Sequence, residues 1–246
     1  MPEQAPVVLI TGAARRIGAT IATRLHGRGY RVIIHYQNSE ADAEKLCAKL
    51  NTNRADSAHS LQASLLDIDS VQQLAEASIA HWGQLNALVN NASSFYPTPL
   101  PTATNTQWDE LIGSNLKGPF FLCQALADEL KKRCGSIVNI ADIHAHQPLK
   151  DHSIYCIAKA GNKMLTKTLA KELAPKVRVN GIAPGVILWP ENDAQKDSEQ
   201  EKLIKTIPLQ RMGSIDDIAR LAEFFITNAS YITGQTIAVD GGKHLN

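Results

Sequence analysis

The sequence has little of what marks several large classes of protein. Its four cysteines are spread over 246 residues without a CxxC pair, which argues against a disulfide framework or a cysteine-rich zinc site. No apolar run reaches the roughly 18 to 20 residues that span a bilayer. The opening MPEQAPVVLITG also lacks a basic region ahead of a long apolar core. These absences predict a soluble, cytoplasmic protein with no membrane partner.

Neither sign of charge is in excess. The chain has 25 basic and 24 acidic residues, and no basic block runs along one face as nucleic-acid binding requires. We therefore expect small molecules, and not nucleic acid, as partners. His144 and His146 have a spacing that a metal site could use, but the sequence positions no acid or third ligand beside them. No metal is predicted.

Short β-branched runs alternate with longer segments of helical period, a pattern typical of repeated β-α units around a parallel sheet. The predicted strands are Val7 to Ile10, Arg31 to His35, Ser60 to Ala63, Ala87 to Val89, Ser136 to Ile140, Arg178 to Ile182 and Thr236 to Val239. The predicted helices are Ile17 to Arg28, Glu40 to Leu50, Val71 to Trp82, Gln107 to Lys132, Tyr155 to Leu173 and Ile215 to Thr227. We expect one α/β domain over residues 1–246, a Rossmann-type doubly wound parallel sheet of about seven strands with helices on both faces.

One late segment breaks this alternation. Residues Trp189 to Lys202 are polar, charged and irregular, which would suit either a flap over a site or a solvated insertion. We treat residues 186–205 as a candidate substrate-loop region.

The first chemical motif is TGAARRIG, Thr11 to Gly18, directly after the strand VVLI and at the start of a helix. A glycine turn in this place lets backbone N–H groups and the positive helix end approach a pyrophosphate. The motif lacks the GxGxxG spacing, although the small Ala13 and Ala14 still permit close approach. A plain tight turn is the alternative.

The second strand runs into HYQNSE, His35 to Glu40. No carboxylate follows the strand at once, which disfavours a free ribose diol, while Gln37, Asn38 and Ser39 can donate hydrogen bonds to a phosphate. Arg15 could add positive charge. The segment predicts NADP, although Glu40 stands one residue beyond it.

Tyr155 and Lys159 have the i, i+4 spacing that places both on one face of a helix. We expect the ammonium to lower the pKa of the phenol and make it a usable proton donor. The spacing arises often by chance, and it gains weight here from the TG motif, from Asn90 to Ala92 and from the Pro184-Gly185 pair.

Together with Asn115 and the VDGG at Val239 to Gly242, these elements resemble the short-chain dehydrogenase/reductase family over essentially the whole chain. The resemblance implies that Tyr155 is the acid/base, that Lys159 holds the nicotinamide ribose, and that Asn115 supports a water-linked proton relay. It implies a homotetramer built on the two longest helices. The cofactor-binding residues it implies are Thr11, Gly12, Arg15, Ile17, Gly18, His35, Tyr36, Gln37, Asn38, Ser39, Ser64, Leu65, Asn91, Ala92, Ser93, Tyr155, Lys159, Pro184 and Gly185.

The chain departs from the wider family thirteen residues before the tyrosine, where Asp142 replaces the usual serine. An ionised carboxylate is a poor oxyanion stabiliser but suits a substrate with N–H groups or a ring nitrogen that must be protonated. In this the chain resembles the pteridine reductases. That likeness implies that Asp142, Tyr155, Lys159 and Asn115 are catalytic. The substrate-binding residues it implies are Arg16, Ser93, Phe95, Asp142, Tyr155 and Trp189.

A second departure concerns the adenine. Ser64 stands where the family frequently has an aspartate, and Asp67 is the nearby residue that could replace it.

Three functions follow from the sequence. The first is NADPH-dependent reduction of pterins or dihydrofolate, for which Asp142 and Phe95 are the discriminating pair. The second is reduction of a ketone or an acyl-carrier thioester, which a serine at 142 would have favoured. The third is a noncatalytic NADP-binding sensor, against which the intact Tyr155, Lys159 and Asn115 argue.

Overall fold

The computed structural model describes residues 5–187 and 196–245. It contains one seven-stranded sheet in the order β3-β2-β1-β4-β5-β6-β7, and every neighbouring pair of strands is parallel. The strands are β1 (Val7–Ile10), β2 (Arg31–Tyr36), β3 (Ala58–Gln62), β4 (Ala87–Asn90), β5 (Ser136–Ile140), β6 (Arg178–Pro184) and β7 (Thr236–Val239). The predicted α/β fold is confirmed.

Helices connect the strands and cover both faces of the sheet. They are α1 (Arg16–Gly27), α2 (Glu40–Asn53), α3 (Ile68–Ala80), α4 (Asn105–Ile112), α5 (Gly118–Lys132), α6 (Ser153–Glu172), α7 (Lys196–Lys205) and α8 (Ile215–Thr227). Among the described residues, no helix has the length and apolar character needed to cross a bilayer.

The apolar runs form strands because both sheet faces are buried. All four residues of β1 are inaccessible to solvent, and each fully buried aliphatic side chain contributes about 1.5 to 3 kcal/mol of transfer free energy. One core cluster packs the sheet against α1, α2 and α8, and another packs it against α3, α5 and α6.

The sheet order places the site. Strands β1 and β4 are neighbours, so the chain winds outward in both directions from the gap between them. In sheets of this kind ligands bind beyond the carboxyl ends of the strands at such a switch point. The glycine turn follows β1, and the Asn90 to Ala92 triplet begins at the end of β4.

Two sequence predictions need correction. The predicted helix from Gln107 to Lys132 is interrupted by a π-helical turn at Gly113–Lys117, because Pro119 has no N–H to continue the regular pattern. The segment from Trp189 to Lys202 is not irregular throughout, since α7 covers Lys196–Lys205. Its Lys, Glu and Gln residues favour helix.

Candidate active site

A cleft of about 1400 Å³ lies over the carboxyl ends of the strands. It brings together most of the residues predicted to bind cofactor or substrate, although they are scattered from the first strand to the sixth. The predicted residues that line it are Gly12, Arg15, Arg16, Ile17, Gly18, His35, Gln37, Asn38, Leu65, Asn91, Ala92, Ser93, Phe95, Asp142, Tyr155, Lys159, Pro184 and Gly185.

The glycine turn is packed too tightly for any side chain at its two glycines. A Cβ on Gly12, whose φ is 61°, would lie 2.9 Å from the Cα of Ala92, and a Cβ on Gly18 would lie 2.5 Å from the carbonyl oxygen of Gly12. The amide of Asn91 donates to the carbonyls of Thr11 at 2.9 Å and of Gly12 at 3.0 Å. The turn is thus held against the end of β4.

Thr11 acts from behind this turn. Its hydroxyl oxygen accepts hydrogen bonds from the backbone N–H groups of Asn91 at 2.9 Å and Ala92 at 3.0 Å. Thr11 is buried and does not line the cleft. Thr11 therefore joins the glycine turn after β1 to the turn after β4.

His35 supports the same turn from the second strand. Its Nδ1 accepts from the backbone N–H of Gly12 at 3.1 Å, and its Nε2 lies 3.2 Å from the carbonyl of Ala63. Burial lowers the pKa of His35 to about 4. The ring is therefore neutral near pH 7, as acceptance from Gly12 requires.

Polar, exposed groups line the cleft beyond β2. Arg15 forms an ion pair with Asp42 at 2.5 Å, and the two side chains are 63% and 43% exposed. Gln37 and Asn38 also line this end. Two other predicted residues do not: the hydroxyl of Tyr36 is directed to Glu40, at 3.3 Å, and Ser39 precedes α2 outside the lining.

The adenine prediction at the third strand is not matched by the described lining. The hydroxyl of Ser64 accepts from the backbone N–H of Leu66 at 3.3 Å, and only Leu65 and Leu66 of this stretch line the cleft. Asp67 caps α3 by accepting from the N–H of Asp69 at 3.2 Å. Asp67 is thus engaged at the start of α3 and does not line the cleft.

At the end of the cleft opposite Arg15, the turn that follows β5 contacts the first turn of α6. The hydroxyl of Tyr155 donates to Oδ2 of Asp142 at 2.7 Å. The other carboxylate oxygen, Oδ1, accepts from the N–H of His144 at 2.8 Å. Both oxygens of Asp142 are thus engaged, and one of them is bound directly to the predicted acid.

Lys159 lies one helical turn after Tyr155 and is almost fully buried. Its ammonium donates to the carbonyl of Ile140 at 2.9 Å and is 5.7 Å from the centroid of the Tyr155 ring. The predicted i, i+4 arrangement on one helix face is therefore present.

The expected lowering of the phenol pKa is wrong for the protein without ligand. Burial is the largest effect and raises the pKa of Tyr155, and the Asp142 carboxylate raises it further. Burial also lowers the pKa of Lys159 to about 8, against the opposing attraction of Asp142. The phenol is held in its protonated form, and the lysine titrates near physiological pH.

Asn115 lies in the π-helical turn and is buried behind the cleft. Its Nδ2 donates to the carbonyls of Ser94 at 2.9 Å and Leu111 at 3.0 Å. Its Oδ1 accepts from the hydroxyl of Ser93 at 2.7 Å. Asn115 thus fixes the orientation of Ser93, which does line the cleft.

Phe95 projects at the cleft wall, with 55% of its surface exposed. Its ring centroid is 4.8 Å from that of Tyr155 in an edge arrangement, and 4.8 Å from that of His152 in a stacked one with planes 14° apart. The sequence pattern gave no signal for His152, because its contact with Phe95 arises only when the two loops fold together.

Arg16 and Trp189 are the two remaining residues predicted to bind substrate. Arg16 lines the cleft and has a φ of 50°, which is uncommon for a residue with a side chain. Trp189 lies outside the described residues.

Comparison with known proteins agrees with this geometry. The family model described as enoyl-(acyl carrier protein) reductase matches residues 12–244. The chain therefore belongs to the short-chain dehydrogenase/reductase family, and it is an oxidoreductase of that type.

Its relatives include proteins with two different named activities. Pteridine reductase 1 of Leishmania tarentolae is 38% identical over 282 aligned residues, covering 98% of this chain and 97% of that protein. The 3-oxoacyl-[acyl-carrier-protein] reductase of Staphylococcus aureus is 37% identical over 240 residues, covering 96% and 97%. The enzyme of that name from Staphylococcus epidermidis is 35% identical over 240 residues. Identity alone does not choose between them.

Proposed function

We propose that this protein is an NADPH-dependent reductase of pterins, converting a dihydropterin to a tetrahydropterin, and that fully oxidised pterins or dihydrofolate are further candidate substrates. The observation that carries the proposal is the carboxylate of Asp142 at 2.7 Å from the hydroxyl of Tyr155. The aromatic ring of Phe95 at the same wall supports it. These features fit a flat heterocycle that accepts a proton on nitrogen.

The charge of Asp142 argues against a simple carbonyl substrate. Reduction of a ketone develops negative charge on an oxygen that Tyr155 must hydrogen-bond, and that oxygen would lie near the carboxylate. Electrostatic catalysis places donors and positive charge at such a position. A pterin edge instead offers N–H groups, for which a carboxylate oxygen is a good acceptor.

Phe95 supplies the flat surface that a pterin needs. Its ring is exposed, and its orientation is set by Tyr155 and His152. Stacking an electron-poor bicycle on such a ring contributes about 0.5 to 1.5 kcal/mol beyond area burial.

The cleft fits a dinucleotide, because Arg16, Ile17 and Gly18 in the first turn of α1 line it, and the N-terminus of a helix favours a phosphate. NADPH, when bound, supplies the hydride for a ring carbon of the substrate. Arg15, Gln37 and Asn38 would hold its 2′-phosphate.

Tyr155 would then give its proton to the adjacent ring nitrogen, which balances the hydride and leaves a phenolate. A phenolate beside Asp142 is unfavourable, so the ammonium of Lys159 is needed to offset the charge until a solvent proton restores the phenol. Such a general acid typically contributes a factor of about 10² to 10⁴ in rate.

A 3-oxoacyl thioester reductase is the second candidate function. It is favoured by the relatives of that name at nearly equal identity. Its site would also use Tyr155 and Lys159, and the two candidates differ in what Asp142 does.

We also propose that the enzyme is a cytoplasmic homotetramer that packs through α5 and α6. The support is that Phe120, Ile157 and Met164 on these helices are large apolar residues with exposed surface. Light scattering of Ile157→Glu beside the unsubstituted protein would test the interface, with dissociation expected.

One substrate panel tests the proposed activity. The purified protein is mixed with NADPH and, separately, with dihydrobiopterin, dihydromonapterin, dihydrofolate or a 3-oxoacyl thioester, and loss of NADPH absorbance is followed. Turnover of at least one dihydropterin, faster than of the thioester, is expected. Turnover of the thioester alone would reject the pterin proposal and favour the second candidate.

A further inference from the structure

The buried face of α6 continues as a polar stripe beyond the two residues discussed above. Asn162 and Thr166 follow Tyr155 and Lys159 on the same face of the helix, and they are 1% and 0% exposed. Polar groups at this depth are almost always hydrogen-bonded. Their partners show what this second half of the stripe does.

Asn162 is bonded to the π-helical turn. Its Nδ2 donates to the backbone carbonyl of Asn115 at 3.1 Å. The hydroxyl of Thr166 donates to the carbonyl of Asn162 at 3.2 Å and accepts from Nδ2 of Asn139, on β5, at 2.9 Å. The stripe thus ties the π-helical turn to the middle of the sheet.

Pro119 explains why the Asn115 carbonyl is open to an outside donor. In an α-helix this carbonyl would accept from the N–H four residues later, and the residue in that place is Pro119, which has no N–H. The regular pattern is replaced there by the π-helical turn. Asn162 supplies a donor to this carbonyl, where the N–H of the regular α-helical pattern is missing.

The same turn controls the groups around the phenol. Asn115 accepts the hydroxyl proton of Ser93 at 2.7 Å, and Ser93 favours the phenolate form of Tyr155, which lowers the pKa of that phenol against the larger effect of burial. A displacement of the turn would therefore be passed to the phenol through two side chains.

We propose that Asn162 is a positioning residue for proton transfer, acting through Asn115 and Ser93 on Tyr155; this rests on the proposed role of Tyr155 as the acid. Oδ1 of Asn162 is buried and has no donor among the residues that the structure describes. It offers an acceptor for a water molecule one helical turn from Lys159.

The test compares Asn162→Leu with Thr166→Val. The first removes the donor to Asn115, and the second removes the next hydroxyl of the stripe but leaves that donor in place. Asn162→Leu is expected to lower kcat by about 10- to 100-fold, since small misplacements of reacting groups have effects of this size. The Kd of NADPH and the KM of the substrate should change less than about threefold. The solvent deuterium isotope effect on kcat should rise, because proton transfer becomes slower.

Thr166→Val is expected to keep kcat within about threefold of the unsubstituted protein, and Asn162→Gln, which retains an amide donor, to recover part of the lost rate. The inference is overturned if Asn162→Leu keeps its kcat, or if both main variants lose kcat equally and in step with their Tm. Should Asn162→Leu fail to fold, Asn162→Ser is measured by the same criteria.

Each variant is assayed with both a dihydropterin and a 3-oxoacyl thioester. A protein that reduces only the thioester contradicts the proposed function, but it still tests Asn162, because Tyr155 would donate the proton in either reaction.

Discussion

The two ends of the cleft differ in how far their charged groups are exposed to water. We call the end beyond β2, which is proposed to hold the 2′-phosphate, the phosphate end, and the end at Tyr155, the proposed acid, the proton-transfer end. At the phosphate end, Arg15 and Asp42 are 63% and 43% exposed and their pairing is screened by solvent. At the proton-transfer end, Tyr155 and Lys159 are 4% and 2% exposed, and both have shifted pKa values. Substitutions at the buried end should therefore change rates strongly, whereas those at the exposed end should change cofactor affinity modestly and in a salt-dependent way.

The largest effect is expected from Tyr155→Phe at the buried end. Loss of the proton donor should lower kcat by about 10³-fold, within the range for general acids, while the Kd of NADPH stays close to that of the unsubstituted protein. Stopped-flow turnover and fluorescence titration measure the two quantities. Turnover near the unsubstituted rate would remove Tyr155 from the acid role.

The next effect concerns pH and Lys159. Because burial lowers the pKa of Lys159 to about 8, its ammonium is lost as the pH rises through that value, and kcat/KM should fall above it by about tenfold per pH unit. Tyr155 does not produce this limb, since its pKa is raised. Lys159→Met should have low activity and no such limb. A flat profile to well above pH 8 in the unsubstituted protein would show that the ammonium is not needed.

His35 is as inaccessible as Lys159, with 2% of its surface exposed, but it supports the glycine turn, and we expect it to contribute to stability. Its pKa is about 4 in the folded protein, so between its ordinary pKa of about 6.5 and that value only the unfolded chain takes up the proton. The free energy of unfolding should therefore fall by about 3 kcal/mol as the pH is lowered through this range, and the loss should be absent above it.

Urea unfolding across that pH range, compared between the unsubstituted protein and His35→Gln, measures this contribution. His35→Gln should lose the corresponding slope, while replacement of the exposed His146 by Gln should leave it in place. An unchanged slope in His35→Gln would assign the pH dependence to other groups.

The smallest effect is expected at the exposed end, from Arg15→Ala. The Kd of NADPH should rise by about three- to tenfold at low salt and by less at high salt, because the interaction is screened. The Kd of NADH should not change. Asp42→Asn, which releases Arg15 from its ion pair, should bind NADPH at least as well as the unsubstituted protein. Equal losses with NADPH and NADH would contradict a 2′-phosphate contact.

The sequence predicted those features that depend on local patterns, and it did not predict those that depend on burial in the folded protein. Strands such as β1 and β5 follow the predicted bounds, since their apolar runs must be buried on both faces. The spacing of Tyr155 and Lys159 predicted that they share one helix face, and the resemblance to the family predicted Asp142 beside Tyr155, which agrees with their 2.7 Å contact. The pKa of Tyr155 was predicted in the wrong direction, because it depends on burial and on the Asp142 contact.

Contacts between distant loops escaped prediction altogether. Asn162 has no local pattern of its own, and its contact with the Asn115 carbonyl arises only when α6 packs against the π-helical turn Gly113–Lys117. His152 likewise joins the cleft wall only through its stacking contact with the ring of Phe95.

The role of Asp142 in choosing a pterin over a carbonyl substrate is tested most directly by one ratio. This is kcat/KM for a dihydropterin divided by kcat/KM for a 3-oxoacyl thioester, measured in the unsubstituted protein, in Asp142→Ser and in the near-isosteric Asp142→Asn. The ratio should exceed one in the unsubstituted protein and fall by about 100-fold in Asp142→Ser, with Asp142→Asn between them. The reason is that loss of the negative charge removes its repulsion of the oxyanion formed from the thioester substrate and weakens the hydrogen bonds to the N–H groups of the pterin. A ratio that is the same in all three proteins would contradict the account and leave Asp142 as a structural cap of the turn after β5.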